Sequence, residues 1–308
     1  MLSVLGQVSG GGDGVGEAVP AIVEKLGYLV PELILFAGTC VVMMLGLSKS
    51  AASRRACLGV SVAALVAAGV AAAVGPAGLA GGAQPGMMPF FKVTIAVVGV
   101  LLVLLMAGTV DRVLEEGVAS GRAVFDPIRS TGGEFYSFVL FSLTGVMLCA
   151  SADDLIWLFL ALELTSLPTY VMVSISTARS RSQEAGVKYF FLGALGACTF
   201  LMGFTLLYGA TGTTQLFGAD GIAGTIAREA AAGEGLGMLT VAGLVLSMVG
   251  VSFKIAAVPM HFYTADVYEG AQTPVSAFLA FVTKTERFKL LLQLAAMVRK
   301  GRKREGAT

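Results

Sequence analysis

The sequence predicts an all-α, polytopic transmembrane helix bundle with seven clear spans, a marginal eighth, and helices broken at proline. Three observations carry this expectation. Of the 308 residues, 56% are apolar and only 13% charged, well below the roughly one-quarter charged residues of a soluble domain. The apolar residues fall in runs close to the about 20 that a helix needs to cross a bilayer core. The basic residues sit almost entirely in alternate loops, as a fixed orientation in the membrane requires.

Residues 1–27 form a polar, Gly-rich tail that lacks the basic start and short apolar core of a cleaved signal peptide. The first apolar segment is therefore expected to act as its own insertion signal. Segments 28–47, 56–79 and 90–108 make three N-terminal spans within 28–109. Glu32 lies in the first turn of the first, where a carboxylate suits the helix dipole, with a role in proton uptake as the alternative. Lys92 stands two residues inside the start of the third and is expected to snorkel to the surface. Residues 110–134 read as a Gly-rich cytoplasmic loop of mixed charge. The remaining spans, 135–150, 155–175, 187–208 and 236–258, belong to a helical half-repeat extending over 135–298. Asp153 and Asp154 occupy a short interfacial turn, Trp157 and Tyr189 fit an aromatic belt, and 209–235 reads as a loop.

The eighth segment, 275–298, is interrupted by KTERFK, Lys284 to Lys289. Each central charge costs about 2.5–3.5 kcal/mol on insertion scales, and each Leu, Ile, Val or Phe returns only about 0.3–0.6. Pairing Glu286 with Lys289 one turn on recovers part of that cost, so insertion is marginal. With the amino terminus outside, Lys49, Arg54, Arg55, Arg112, Arg122, Arg129, Arg179 and Arg181 lie in cytoplasmic loops, leaving Lys25 and Arg228 outside. The basic tail, 299–308, stays inside only if the eighth segment does not span.

Composition also excludes function classes. A formal charge of +1 leaves no basic surface for nucleic acid. Phosphate-cradling glycine signatures are not evident. Cys40, Cys57, Cys149 and Cys198 lie in or beside apolar runs without metal-ligand spacing, so they read as reduced packing residues. A single histidine argues against a multi-histidine metal or haem site.

Ionisable residues at membrane depth are costly and often line ion or proton paths. Glu163 is central in LFLALELTSLPTYVMV, with Pro168 removing a backbone hydrogen bond and freeing a carbonyl that water or Thr165 could satisfy. Lys254 lies about one turn before Pro259, where a loosened helix leaves room for a counter-charge, and Glu163 is its natural partner. A buried amine can release its proton when a neighbouring carboxylate moves away. The alternatives are a permanently paired carboxylate and a snorkelling lysine. Lys188 fits a relay or an i, i+4 pair with Glu184 equally well. Lys284 would be central in the eighth segment, and His261 could cap or shuttle at the broken end of the seventh.

The stretch FKIAAVPMHFYTADVYEGAQTPVSAFLAFVTKT, supported in order by ALELTSLPTY, EAGVKYFFLGA and VPELIL, resembles the antiporter-like membrane subunits of respiratory complex I. The match covers most of residues 28–284. DVYEGA and a lysine at 284 favour the N type of proton-translocating NADH:quinone oxidoreductase subunit over its L and M relatives and over Mrp-type antiporters. The resemblance implies that Glu163 and Lys254 form the family's glutamate/lysine pair and that Lys188 and Lys284 continue a hydrated row of protonatable groups. Quinone chemistry elsewhere would open and close the pair and so move a proton.

It further implies no cofactor in this chain, with NADH, FMN, iron-sulfur clusters and quinone used in other subunits. The implied partners are other membrane subunits of complex I and the lipid bilayer, in a bacterial plasma (inner) membrane. Such subunits usually carry about fourteen helices as two inverted five-helix repeats. This sequence carries the first, so a truncated gene, a frameshift, a split subunit or a fragment all fit. The competing readings are a stand-alone cation/proton antiporter and a structural remnant that does not pump.

Overall fold

The structure, a computed structural model, describes residues 26–48, 50–75, 87–107, 117, 120–122, 132–175, 180–218, 220–231, 236–258 and 260–282. Lys284, most of the eighth segment and the basic tail lie outside these residues. The described residues form ten helices named in chain order. These are α1 (Val30–Gly46), α2 (Ala51–Val74), α3 (Met88–Met106), α4 (Gly132–Ser151) and α5 (Leu155–Ser174). After them come α6 (Ser180–Thr211), α7 (Ile222–Ala231), α8 (Met238–Lys254), α9 (Thr264–Gly270) and α10 (Thr273–Val282). No strand occurs among the described residues; one isolated antiparallel bridge joins Asp154 to Gln215.

The bundle faces outward with apolar side chains. Met44, Phe90, Leu101, Phe191 and Met248 are each more than half exposed, on a scale that marks a lipid-facing exterior. Five helices are long and apolar enough to cross a membrane, namely α3, α4, α5, α6 and α2 from Ala52. At 17 residues each, α1 and α8 reach only about 25 Å at 1.5 Å per residue. Both are shorter than the segments read from hydropathy, and α8 stops at Lys254 instead of running to residue 258.

Packing follows the chain. Helix α1 lies against α2 and α4, α2 against α3, α4 against α5, and α6 against α5, α8 and α9. The alternation brings the start of α1, the end of α2, the start of α3 and the end of α4 to one end of the bundle. Small residues let α6 and α8 approach closely. A Cβ added at Gly250 would run into the Phe200 backbone and Cβ, and one at Gly203 into Ser247, as membrane helix seams use Gly to bring backbones together.

The stretch 209–235, read as a loop, instead contains α7, whose Ile222, Ala223, Ile226 and Ala227 are buried. It is tied to the start of α5, where Leu155 N donates to Thr214 O and Leu216 N to Asp153 O, and within the stretch Ile222 N donates to Gln215 O, each at 2.9 Å. Asp154 is the N-cap of α5, accepting from Ile156 N at 2.8 Å and Trp157 N at 3.4 Å. It also accepts from the Thr214 hydroxyl and from Gln215 Nε2. The Asp154→Ala variant therefore loses a cap and the tie to residues 214–215. A destabilisation of about 1–2 kcal/mol is expected, to be read from thermal unfolding in detergent.

Two expectations for single side chains change. Tyr189 is not part of an aromatic belt: it is buried, edge-on to Tyr170 at 4.6 Å between ring centroids and stacked on Tyr263 at 6.1 Å. No disulfide joins the four cysteines, and only Cys57 and Cys149 are buried, while Cys40 and Cys198 are exposed on the exterior.

Candidate functional site

Helix α5 supplies the acid. It runs through Pro168 without interruption, so the expected kink does not break it. A proline at 168 leaves the carbonyl of Leu164 without its helical donor. Thr165 does not turn to it, because its hydroxyl donates to Ala161 O at 3.0 Å. From α4, Ser142 donates to Thr165 O at 3.0 Å. The neighbouring serine on the acid's side, Ser166, donates to Leu162 O at 2.8 Å.

Helix α8 supplies the amine at its last residue. Beyond Lys254 the chain closes a Schellman turn, in which Ala256 N donates to Phe253 O at 3.1 Å and Ala257 N to Ser252 O at 2.9 Å. Ala256 holds a left-handed φ of 48°, a conformation usually left to glycine. Tyr263 locks the break by donating its hydroxyl to Phe253 O at 2.6 Å. Removing that hydroxyl with Tyr263→Phe is expected to cost about 1 kcal/mol, measurable as a lower melting temperature.

The two helices bring Glu163 and Lys254 together. Lys254 Nζ donates to Glu163 Oε1 at 2.8 Å and to Ser166 Oγ at 2.7 Å. It also lies 5.7 Å from the centre of the Phe200 ring, a cation–π contact. The side chain of Lys254 is 4% exposed and that of Glu163 20%, so the acid retains the more open side. A carboxylate, an amine and a hydroxyl in one chain of hydrogen bonds can hold and pass a proton.

The other expected site residues stand elsewhere. Lys188 Nζ is 2.8 Å from Glu184 Oε1 and 2.7 Å from Asp266 Oδ2, with its side chain 42% exposed. The i, i+4 pair is therefore present, and Asp266 of α9 is an added partner. His261 is exposed in the turn between α8 and α9, and its carbonyl accepts from Thr264 N at 3.0 Å. Lys284 lies outside the described residues.

A second buried ion pair was not foreseen. Lys92 Nζ is 2.7 Å from Glu32 Oε1 and donates at 3.1 Å to Oε2 and at 2.6 Å to Tyr28 O. Ser151 Oγ donates to Glu32 Oε1 at 2.9 Å. With side chains 4% and 5% exposed, Lys92 does not snorkel and Glu32 does more than complement a dipole. The overlooked signal is that two opposite charges stand at matching depth, each just inside the start of an apolar helix.

The chain is similar to known proteins over most of its length. Residues 152–300 match the family described as NADH:quinone oxidoreductase/Mrp antiporter, transmembrane. Over 278 residues the chain is 38% identical to NADH-quinone oxidoreductase subunit N of Rhizorhabdus wittichii, covering 89% of this chain and 53% of that protein. It is 37% identical over 277 residues to subunit N 1 of Rhizobium meliloti, with the same two coverages. The chain thus spans about half the length of the relatives it matches. Among solved structures, it resembles a chain of respiratory complex I from Thermus thermophilus, with a TM-score of 0.62 and 29% identity over 86% of this chain and 53% of that one. The fold also matches a chain of the Mrp complex from Dietzia, with a TM-score of 0.59 and 19% identity over 88% and 48% of the two chains.

Proposed function

The chain belongs to the NADH:quinone oxidoreductase/Mrp antiporter transmembrane family, and from that premise we propose that it is a proton-translocating membrane subunit of an NADH:quinone oxidoreductase, or the N-terminal half of one. The observation that carries the proposal is the Glu163–Lys254 pair, closed at 2.8 Å beside a helix break. Closed, the pair keeps the ammonium charged in a medium of low dielectric constant. Opened, it leaves an unpaired charge that such a medium disfavours. The proton on Lys254 Nζ is then released to water or to a neighbouring acceptor, and reclosure draws one back. Quinone reduction in other subunits, which would hold the NADH, FMN and iron-sulfur sites, supplies the work.

Ser166 orients the amine by accepting one of its three N–H bonds, and Tyr263 fixes the end of α8 that carries it. Lys188, with Glu184 and Asp266, Lys284 and His261 are proposed as further relay positions. The partners are other membrane subunits of the complex in a bacterial inner membrane, with the amino terminus outside on the distribution of basic residues. The test is Lys254→Met in the assembled complex, reconstituted in liposomes and supplied with NADH and quinone. Loss of internal acidification at retained assembly supports the proposal. Acidification at the wild-type rate overturns it.

A second reading, a stand-alone cation/proton antiporter, is favoured by the Mrp portion of the family match. It requires cation-driven proton movement in vesicles that contain the chain without a peripheral redox arm. A chain that passes neither assay is a structural remnant.

A further inference from the structure

We propose that Glu32 and Lys92 form a second proton-exchanging pair, placed at the outer end of α1 and α3 and separate from Glu163 and Lys254. The inference rests on reading the chain as a proton-translocating subunit. The geometry repeats the chemistry of the first pair with different residues. As at the first pair, a lysine closed on a carboxylate, here at 2.7 Å, also donates to a second oxygen, here Tyr28 O; unlike the first pair, the carboxylate in addition accepts a serine hydroxyl from a neighbouring helix. Burial is deeper than at the first pair, since both side chains are about 95% enclosed.

Two features argue for exchange over a fixed clamp. First, a small, partly open cavity with room for about one water is lined by Tyr28 before α1, Pro31 of α1, Ala72 of α2, Gly75 just after α2 and Pro89 of α3, and Lys92 forms part of its wall. A water there is the acceptor and donor that the pair needs. On separation of the pair, an Nζ–H bond of Lys92 breaks and the proton passes to the water. Recharging reverses this, and Glu32, which does not line the cavity, exchanges its proton through the Lys92 amine to which it is hydrogen-bonded. No electron moves.

Second, α4 bonds both Glu32 and the backbone of the helix that carries Glu163. Ser151 at its end holds Glu32, and Ser142, nine residues earlier, donates to the carbonyl two residues beyond Glu163. A shift of α4 against α5 therefore acts on the Ser151–Glu32 hydrogen bond directly and on the backbone of α5 two residues from Glu163. Among the described residues, no other charged residue of α1 to α4 lies at that end of the bundle. Arg54 and Arg55 of α2 and Glu134 of α4 stand at the opposite ends of their helices, and Asp154, beyond Ser151, is occupied as the α5 cap with Asp153 beside it.

The experiment compares E32Q, E32D, S151A and E163Q in the assembled complex, reading quinone-linked proton pumping across pH together with complex stability. Glutamine keeps an oxygen to accept from Lys92 and Ser151 but cannot ionise. E32Q is expected to slow pumping by about tenfold or more and to flatten its pH profile, with E32D retaining most of the rate. S151A leaves both charges in place and is expected to shift the pH midpoint. A clamp without proton exchange predicts lower stability in E32Q with a wild-type pH profile, which would overturn the inference. Should E32Q fail to assemble, S151A decides: an unchanged midpoint in intact complex overturns the inference. Loss of pumping in E163Q alongside a wild-type E32Q defeats this inference alone, whereas wild-type pumping in E163Q defeats the reading on which it rests.

Discussion

Replacing Glu163 with Gln is expected to reduce quinone-linked proton pumping by about tenfold or more while the complex still assembles. The amide has the shape of the carboxylate and offers Lys254 an oxygen at the same place, so packing around the 2.8 Å contact is kept. What disappears is the countercharge. Removing one partner of a buried pair typically costs about 3–5 kcal/mol because the other charge is left uncompensated, and here Lys254 is 4% exposed. The amine escapes that cost by shedding its proton. Once neutral, it has nothing to release when the site opens. Aspartate at the same position restores the charge at a longer reach and is expected to return part of the rate. Pumping is measured by acidification inside liposomes, and assembly by the amount of intact complex.

The largest structural effect is expected at the α6–α8 seam. A valine at position 250 would drive its side chain into the backbone of Phe200, where no rotamer change in a neighbour can relieve the overlap. Overpacking costs typically about 1–3 kcal/mol when side chains can shift, and a clash with helix backbone exceeds that range. The helices must separate, and Lys254, one turn further along α8, moves with them. Gly250→Val is therefore expected to abolish assembly, and Gly250→Ala to weaken it. Gly59→Ala, at a position with nothing within 4 Å of the added carbon, is expected to be neutral. Yield of intact complex and its melting temperature report the difference.

Hydropathy located the helices because the bilayer imposes a length on every span. It placed the ends less well. Helix α6 begins at Ser180, seven residues before its apolar run, because a polar stretch continues the helix beyond the hydrocarbon. Helix α8 ends at Lys254 because tertiary contacts, the Tyr263 hydroxyl among them, cap it there. Helix α7 was hidden because ten residues with a narrow apolar face give too weak a signal in a Gly-rich stretch. At the site, Glu163 and Lys254 were legible since a lone charge deep in an apolar run needs a partner. Lys92 and Glu32 were misread for the same physical reason: near a helix start, solvent offers a cheaper partner. Only three-dimensional packing shows that each is instead the other's. Asp266 could not be assigned to Lys188 from spacing, because 78 residues separate them.

The order in which these charges leave the ribosome follows from where they sit. In both buried pairs the acid precedes the amine, by 60 residues for Glu32 and Lys92 and by 91 for Glu163 and Lys254. At about 5–20 residues per second, the second carboxylate waits roughly 5–18 s during synthesis for its lysine. A carboxyl can spend that interval protonated and uncharged inside lipid, and it then captures the late-arriving helix as its amine enters. Biogenesis therefore has a direction built into it, in which each acid is installed as a latch for a helix not yet made.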